Sequence, residues 1–309
     1  MNNGNVKEYY KRIVTILNER ADEFLPDGEL HSCIKEILMR GKKIRPVLTL
    51  LSFQAVGGNL DEGIPLAFAV ELTHNATLIH DDIIDGDMFR RGKQSLHERY
   101  GINNAIVIGD AMISLAVSLS TRYGSEITKL LSQYGFDLCC GELMDISLNL
   151  EDTGEDDYML KIKKKSASLF RASTHTGALA GNGNPDEVNA LADYGGYIGT
   201  AYQIKDDTDD LIDNGNDLRR GIVTLPIIHL YKMSDNKTRE FLRENFGNNA
   251  DNESVKKIIK LMEEYGSFDY CKRKISENLS SARSVLNDLR DSEFKEYLLD
   301  IPEFILHYK

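Results

Sequence analysis

Proline is absent between Pro65 and Pro185, and this long gap is the feature that most constrains the fold of the 309-residue chain. Apolar residues recur across the gap at the spacing of an amphipathic helix, interrupted mainly by glycine, asparagine and short acidic turns. No segment has the alternating pattern of a strand, and no Pro- or Ser-rich linker divides the chain. The sequence therefore predicts a single all-α domain over residues 1–309.

Glycine, proline and capping residues mark where the predicted helices begin and end. Short loops at Pro26-Asp27-Gly28 and Gly181-Asn182-Gly183-Asn184-Pro185 are the clearest breaks. In chain order the predicted helices cover Val6 to Phe24, Leu30 to Arg40, Arg45 to the Gly57-Gly58 pair, Pro65 to Asp85, Asn104 to Tyr123, Ser125 to Asn149, Tyr158 to Ala180 and Asp186 to Asp213, followed by several amphipathic helices between Lys237 and Tyr308.

The net charge of −12, with no basic block, argues against a nucleic-acid partner. The segment from Met1 to Lys11 is polar, and no apolar run approaches the roughly 20 residues that cross a bilayer. The four cysteines lack a Cys-x-x-Cys pair, which favours reduced thiols over disulfides. We expect a cytoplasmic protein without a transmembrane segment.

Two copies of the pentad Asp-Asp-x-x-Asp begin 125 residues apart, at Asp81 and at Asp206. On a helix this spacing gathers three carboxylates on one side, where their charges repel one another. A bound cation relieves that repulsion. Mg²⁺ prefers oxygen ligands and usually binds through one or two carboxylates together with substrate phosphates. The pentads therefore predict a magnesium-dependent diphosphate site.

The first pentad continues a helical stripe that includes His74, Thr77 and Leu78, which could line a cavity. Two guanidiniums follow at Arg90-Arg91, and such groups match phosphate oxygens. A solvated helix end paired with neighbouring arginines is the alternative for a lone pentad. The second copy makes that alternative less favourable.

One helical face carries three acids of the second pentad and the glutamine one turn before it: Gln203, Asp206, Asp207 and Asp210. Asp209 lies off that face and is expected to be solvated or to support the ligands, and Asp213 is a charged helix end. The basic run from Lys163 to Lys165 on the preceding helix is, by itself, typical of a solvated surface.

Several segments, in this order and spacing, resemble the trans-isoprenyl diphosphate synthase (polyprenyl synthetase) family. The resemblance implies an isoprenoid synthase-type bundle of long helices around a central cavity, with the acidic clusters facing each other across its mouth, and a homodimer. It implies a prenyltransferase that condenses isopentenyl diphosphate with an allylic prenyl diphosphate. The segments are Gly41-Lys42-Lys43-Ile44-Arg45-Pro46, the run from His74 to Gly92, Lys165-Ser166-Ala167-Ser168-Leu169-Phe170, and Tyr202-Gln203-Ile204-Lys205-Asp206-Asp207.

The resemblance also implies residue roles. Asp81 and Asp85 would bind two Mg²⁺ ions and Asp206 a third, with Asp82, Asp207 and Asp210 supporting them; Lys165 joins Asp81, Asp85 and Asp206 in the catalytic set. Positions that contact the allylic diphosphate are matched by Arg90, Lys165, Ser166 and Gln203, and the isopentenyl diphosphate pocket by Lys42, Arg45, His74 and Arg91. Asp110 also matches a family position, although a capping or core-bridging role is equally compatible with it.

The chain departs from the family pattern after the second pentad. The family has one lysine soon after a glycine and another in a Gly-Lys-x-Thr segment, whereas Asn214-Gly215-Asn216-Asp217 and Gly221-Ile222-Val223-Thr224 carry neither. Arg219 or Arg220 is close enough in sequence to substitute. We therefore expect weakened binding of the allylic diphosphate.

Product length in this family depends on the residues one to two turns before the first pentad, where bulky aromatics stop elongation. Here those residues are Ala76 and Thr77. Small side chains leave the cavity open, so we expect a medium to long polyprenyl product, with geranylgeranyl diphosphate as the fallback.

Two other functions fit parts of the pattern. A terpene cyclase also ionises a prenyl diphosphate, but it has a different second metal motif and needs no isopentenyl pocket. A noncatalytic subunit of a heteromeric prenyl synthase would be expected to lose one pentad or its arginines, and both are present here.

Overall fold

The computed structural model describes residues 3–213, 215–247 and 250–307. The side chain of Asp213, and residues Asn214 and Tyr308, lie outside this description. Regular structure in the described residues is helical except for one antiparallel hairpin, β1 (Phe89–Arg90) and β2 (Lys93–Gln94), which pairs Phe89 with Gln94. The predicted all-α class is confirmed.

The described residues divide into two compact units. Unit 1 comprises Met1–Gly135, Leu169–Ala192 and Val285–Lys309, and unit 2 comprises Phe136–Ser168 and Asp193–Ser284. The single-domain assignment stays a prediction. The helices are α1 (Asn3–Glu19), α2 (His31–Leu38), α3 (Ile44–Ala55), α4 (Leu60–Asp85), α5 (Leu96–Tyr100), α6 (Ile102–Ser120), α7 (Ser125–Ser147), α8 (Glu155–Lys165), α9 (Ala167–Ala180), α10 (Pro185–Asp213), α11 (Asn216–Arg220), α12 (Leu225–Met233), α13 (Asn236–Asn245), α14 (Asn252–Glu264), α15 (Ser267–Val285) and α16 (Glu293–His307).

Helix α4 is the element of unit 1 that carries the first pentad, and it packs against α3 and α6. Its start is set by Asn59, whose side chain accepts a hydrogen bond from the Asp61 N–H at 3.0 Å. The predicted start at Pro65 is therefore five residues too late, and the proline lies inside the helix. The helix ends at Gly86, which takes the left-handed conformation with φ of 67° directly after the pentad.

Three predicted helices are each divided in the structure; one of them, Asn104 to Tyr123, is α6 followed by a 3₁₀ turn at Thr121–Tyr123. The segment from Val6 to Phe24 is α1 followed by a short 3₁₀ turn, Ala21–Phe24. The segment from Tyr158 to Ala180 is interrupted at Ser166, which separates α8 from α9. All three predictions identified helical segments but missed the interruption.

Helix α6 corrects the expectation that no apolar run is long enough to cross a membrane. The window Ile102–Tyr123 has 22 residues and a mean hydropathy of 1.6, and a third of it is buried. Length and composition alone are weak support for a span, because core helices of soluble proteins share them. The exposed apolar residues of α6 are Ile102, Ile106, Val107, Ile113 and Val117, which we call the α6 apolar stripe.

Unit 2 has its own apolar core. Its members come from α8, from α10 to α15, and from the segment that precedes α8. Tyr158 on α8 is completely buried in this core, as are Ile204 and Leu211 on α10. These contacts hold the part of α10 that carries the second pentad beside α8.

Candidate functional site

The first pentad combines half-buried and buried carboxylates. Asp81 and Asp85 are partly exposed, on the same stripe as the partly exposed His74, Thr77 and Leu78. Asp82 is only 4% exposed and accepts a hydrogen bond of 2.6 Å from Arg90 Nε. Burial raises the pKa of Asp82, and the bond from Arg90 opposes that shift. The pentad thus keeps Asp81 and Asp85 partly exposed, whereas Asp82 is buried and bonded to Arg90.

Arg90 lies against the acidic end of α4. It is held by Asp82, and its Nη2 also lies 3.4 Å from Asp87 Oδ2. The β1–β2 hairpin that carries Arg90 therefore folds back onto the pentad. A diphosphate bound there would share this guanidinium with Asp82.

A second basic group in unit 1 forms around His74. Arg45 Nη1 lies 3.1 Å from His74 Nε2, and the Arg45 guanidinium stacks over the Phe170 ring at 4.4 Å. Because a guanidinium only donates hydrogen bonds, His74 Nε2 is the acceptor and the imidazole is neutral. Burial and the nearby cations Arg45 and Arg91 lower the pKa of His74 well below its usual value.

Gly41 lies against the Arg91 guanidinium and directly precedes Lys42 in the chain. Gly41 has a φ of +79°, and a side chain there would collide with the Arg91 guanidinium. Lys42 is exposed, and its backbone carbonyl accepts a hydrogen bond from the Tyr10 hydroxyl. The structure thus brings together three of the four residues predicted for the isopentenyl diphosphate pocket, Arg45, His74 and Arg91. Lys42 is close to them in the chain, with its side chain exposed.

The second pentad also contains one buried carboxylate. Asp207 is 8% exposed and accepts two hydrogen bonds of 2.6 Å, from the Tyr158 hydroxyl and from Gln203 Nε2. Burial raises the pKa of Asp207, and these donors oppose the shift. Asp206 and Asp210 are exposed. Gln203 is therefore committed to Asp207 in this structure, and only its remaining donor and acceptor capacity can serve a ligand.

Asp209 and Asp110 are acids that lie beside a basic side chain at an exposed position. Asp209 is 47% exposed and pairs with Lys205, one turn earlier, at 2.6 Å. Asp110 is 66% exposed, 3.8 Å from His80 Nε2. A core-bridging role for Asp110 is therefore wrong, because its side chain faces outward.

Lys165 lies at the end of α8 between two carboxylates of α7. Its Nζ is 2.7 Å from Glu142 and 2.7 Å from Asp145. Asp145 also pairs with the buried Lys161 at 2.9 Å. Although burial opposes it, Lys161 and Lys165 together lower the pKa of Asp145. Ser166 follows directly and is partly exposed at the break between α8 and α9.

The short helix α11 carries the two arginines that follow the second pentad. Arg219 Nη2 donates to Asn252 Oδ1 at 2.8 Å, so its guanidinium is directed to the start of α14. Burial, together with the negative charges of Asp207 and Asp210, raises the pKa of Asp217 to about 7, and Arg220 opposes that shift. Of the two arginines, Arg220 is the one that acts electrostatically on Asp217, whose own carboxyl group feels the charges of Asp207 and Asp210.

The carboxylates fit a hard divalent cation that arrives with a phosphate. Among residues 3–213, 215–247 and 250–307, no three His, Cys, Asp or Glu side chains are arranged to hold a metal ion by themselves. Each pentad instead offers one pair of accessible carboxylates one turn apart, Asp81 with Asp85 and Asp206 with Asp210. Mg²⁺ commonly binds to one or two carboxylates and completes its shell with water and substrate phosphates.

The two chain-length positions differ in exposure. Ala76 is completely buried, whereas Thr77 is partly exposed and shares the stripe of His74 and Asp81. The Thr77 hydroxyl donates to the His74 carbonyl at 2.8 Å. Thr77 is therefore the better placed of the two to meet a bound chain.

Sequence reasoning missed the residues that hold the predicted ones in place. The Tyr158 hydroxyl donates a hydrogen bond to Asp207. Glu142 and Asp145 form ion pairs with Lys165. One signal was available: Glu142 and Asp145 are three residues apart, and Lys161 and Lys165 are four apart, so each pair presents one helical face. The match between those faces depends on tertiary packing.

Comparison with known proteins covers nearly the whole chain. The polyprenyl synthetase family model matches residues 27–262. A short chain isoprenyl diphosphate synthase of Methanothermobacter thermautotrophicus is 34% identical over 315 residues, covering 97% of each chain. An octaprenyl diphosphate synthase of Haemophilus influenzae is 30% identical over 271 residues, 84% of this chain and 82% of its own. The crystal structure of a geranylgeranyl pyrophosphate synthetase from Pyrococcus horikoshii superimposes with a TM-score of 0.90 at 30% identity, covering 98% of this chain and 99% of that one.

Proposed function

Because this chain belongs to the polyprenyl synthetase family, we propose that it condenses isopentenyl diphosphate with an allylic prenyl diphosphate to give a longer trans-polyprenyl diphosphate. The observation that carries the proposal is the basic group of Arg45, His74 and Arg91, which lies with the neighbouring Lys42 in the same unit as the first pentad. Such a group gives a second diphosphate its own counter-charges. A terpene cyclase, which ionises a single prenyl diphosphate, has no use for it.

The chain's residues supply binding and orientation, and the reaction needs no protein nucleophile. Arg90, Lys165, Ser166 and Gln203 would hold the allylic diphosphate while its C–O bond ionises. The His74 group would hold the diphosphate of isopentenyl diphosphate, whose double bond attacks the resulting allylic cation. The departing diphosphate takes up the proton that is then lost. The neutral His74 orients Arg45 rather than adding charge.

We assign the cofactor as Mg²⁺, three ions per active site, held by Asp81, Asp85 and Asp206 with Asp82, Asp207 and Asp210 in supporting positions. Bound Mg²⁺ would supply positive charge that stabilises the leaving diphosphate. The buried Asp82 and Asp207 support their neighbours by fixing Arg90 and Gln203. The supporting role of Asp82 and Asp207 agrees with their burial.

The product is proposed to be medium to long, with geranylgeranyl diphosphate as the fallback. Ala76 and Thr77 are small, so no aromatic ring closes the path beneath the first pentad from α4. The similar proteins include a short chain synthase, a geranylgeranyl synthase and an octaprenyl synthase. Product length therefore has to be measured.

One assay tests the proposal directly. Purified protein is incubated with Mg²⁺, isopentenyl diphosphate and allylic primers of several lengths, and the products are resolved by chromatography. We expect elongated prenyl diphosphates that need both substrates. Turnover of the allylic diphosphate without isopentenyl diphosphate would instead identify a cyclase, and no turnover without an added protein would identify a subunit of a heteromeric enzyme.

Replacing Arg220 by alanine should raise the KM for the allylic diphosphate about tenfold, because a charge-assisted bond to phosphate is lost. The KM for isopentenyl diphosphate should stay within about twofold. Steady-state kinetics with each substrate varied in turn measures both values. The matched control is Arg219→Ala, whose guanidinium is bonded to Asn252. Equal effects of the two substitutions would show that Arg220 is not the replacement for the missing lysines.

We propose that two copies of this chain associate through the α6 apolar stripe. The stripe repeats at Ile102, Ile106, Ile113 and Val117 along one side of the helix and is substantially exposed. Covering such a surface with a second copy removes apolar area from water. This assignment accounts for the apolar character of α6 without a membrane span, and we accordingly place the protein in the cytoplasm.

Replacing Ile113 by glutamate should convert the dimer to a monomer, because a charge would be buried in an apolar interface. Gel filtration with light scattering measures the mass. The control is Met233→Glu, at a comparably exposed apolar residue on α12, which should remain dimeric. A wild-type monomer, or a dimer that Ile113→Glu leaves intact, would refute this interface.

A further inference from the structure

The loop that carries Lys42 has an unusual backbone. Gly41 and Lys43 both have positive φ values, +79° and 54°. A left-handed conformation at a non-glycine residue is strained, so neighbouring contacts must hold it. The turn directs the Lys42 side chain outward and the Lys43 side chain into unit 1, where Lys43 is 6% exposed.

The buried Lys43 forms an ion pair with Glu71 of α4. Lys43 Nζ lies 3.5 Å from Glu71 Oε1, with the side chains 4% and 5% exposed, and Nζ also donates to the Arg40 carbonyl. Burial lowers the pKa of Lys43, and the Glu71 carboxylate opposes that shift. A buried ion pair adds little net stability, because both charges lose their hydration, but it restricts geometry.

This pair lies one helical turn from the His74 group. Glu71 precedes His74 by three residues on α4, and Lys43 precedes Arg45 by two residues at the start of α3. The start of α3 is therefore joined to α4 twice, by Lys43 with Glu71 and by Arg45 with His74. Both side chains of the first connection are buried, whereas Arg45 and His74 of the second are partly exposed.

Two polar contacts fix the buried ammonium group of Lys43. The cavity beside it is small and apolar, lined by Leu38, Pro46 and Phe68 among other residues, and its described lining offers the group no other polar partner. The Arg40 carbonyl accepts from Nζ, and Glu71 supplies the opposite charge. Of these two contacts, the pair with Glu71 is the one that joins the turn to α4.

We infer that Lys43 and Glu71 are positioning residues, which hold the turn at residues 41–45 so that Lys42 and Arg45 meet the diphosphate of isopentenyl diphosphate. This inference rests on the proposed function, since it assumes that the His74 group binds that substrate. Neither Lys43 nor Glu71 is assigned a contact with the substrate. Their effect is on its binding and not on ionisation of the allylic partner.

The first test is Glu71→Gln, which keeps the side-chain shape and removes the charge. We expect the KM for isopentenyl diphosphate to rise on the order of tenfold, since displaced binding groups lose much of their effect. The KM for the allylic diphosphate and kcat should stay within about twofold. Calorimetry with isopentenyl diphosphate alone, which has no partner to react with, should show the same weakening of its Kd.

A second variant separates positioning from stability. The double substitution Lys43→Met with Glu71→Met removes both charges with similar volume, and it should return the Tm to near the wild-type value. Isopentenyl diphosphate binding should remain weak if the pair positions the turn. Recovery of both Tm and Kd in the double variant would overturn the inference, because the pair would then be only structural.

The control is Glu187→Gln, which breaks another ion pair of unit 1. Glu187 is almost fully buried and accepts from Arg290 Nη2 at 2.7 Å. It should lower the Tm without changing the Kd for isopentenyl diphosphate; an equal change in Kd would overturn the inference. Failure of the proposed function is distinguishable, since wild-type protein would then neither bind isopentenyl diphosphate nor elongate a primer.

Discussion

Replacing Asp81 by asparagine is expected to lower kcat about a thousandfold, since loss of metal-assisted charge stabilisation costs several kcal/mol. Asparagine keeps the size of the side chain and removes its charge. The partial exposure of Asp81, next to the buried Asp82, makes it the residue of this pair that is available to a cation. Rapid-quench measurement of single-turnover product formation at saturating Mg²⁺ gives the effect on chemistry.

The same substitution at two positions of the second pentad provides the comparison. Asp206→Asn should lower kcat to a similar extent, whereas Asp209→Asn should leave it within about twofold, because Asp209 forms an exposed pair with Lys205. Full activity in Asp81→Asn or Asp206→Asn would contradict the metal assignment. A loss in Asp209→Asn as large as in Asp206→Asn would show that the exposed pair with Lys205 does not keep Asp209 out of the metal site.

Replacing Thr77 by phenylalanine is expected to shorten the product by at least about one isoprene unit, since the added ring fills space on the stripe of α4 that faces the ligand. Thr77 is partly exposed, so the larger side chain can be accommodated. Ala76→Phe should also shorten the product. It should in addition destabilise the fold by about 1–3 kcal/mol, because Ala76 is completely buried.

Chromatography of the products, with thermal unfolding of each variant, measures these effects. The matched control is Thr77→Val, which keeps the volume, loses the hydrogen bond to the His74 carbonyl and should leave product length unchanged. A product distribution that neither phenylalanine substitution alters would show that the first pentad's upstream turn does not set chain length.

Much of the fold could be predicted from the sequence because helical spacing and helix-ending residues are local signals. Gly86, for example, ends α4 where the pentad ends. The break at Ser166 is different, since no glycine or proline marks it. It occurs where the backbone at Lys165 packs so closely on Gly141 that a side chain at Gly141 would collide with it. That approach is a tertiary effect.

In the candidate site, too, some features follow from local sequence signals and others depend on tertiary packing. The spacing of the aspartates indicated which acids share a face, yet it could not show that Asp82 and Asp207 are buried and bonded. Those states depend on Arg90 and Tyr158, which approach from other elements. Arg219 and Arg220 were equivalent in sequence, and only the bond to Asn252 separates them.

The donors on Asp82 and Asp207 have a consequence for the resting protein. Arg90 balances one buried carboxylate, and Tyr158 with Gln203 satisfies the other. Each pentad therefore has its interior acid neutralised or hydrogen-bonded by the polypeptide itself. Burial of these two carboxylates requires their protein donors, so losing Arg90 or Tyr158 would take a donor away from a buried acid and destabilise the fold.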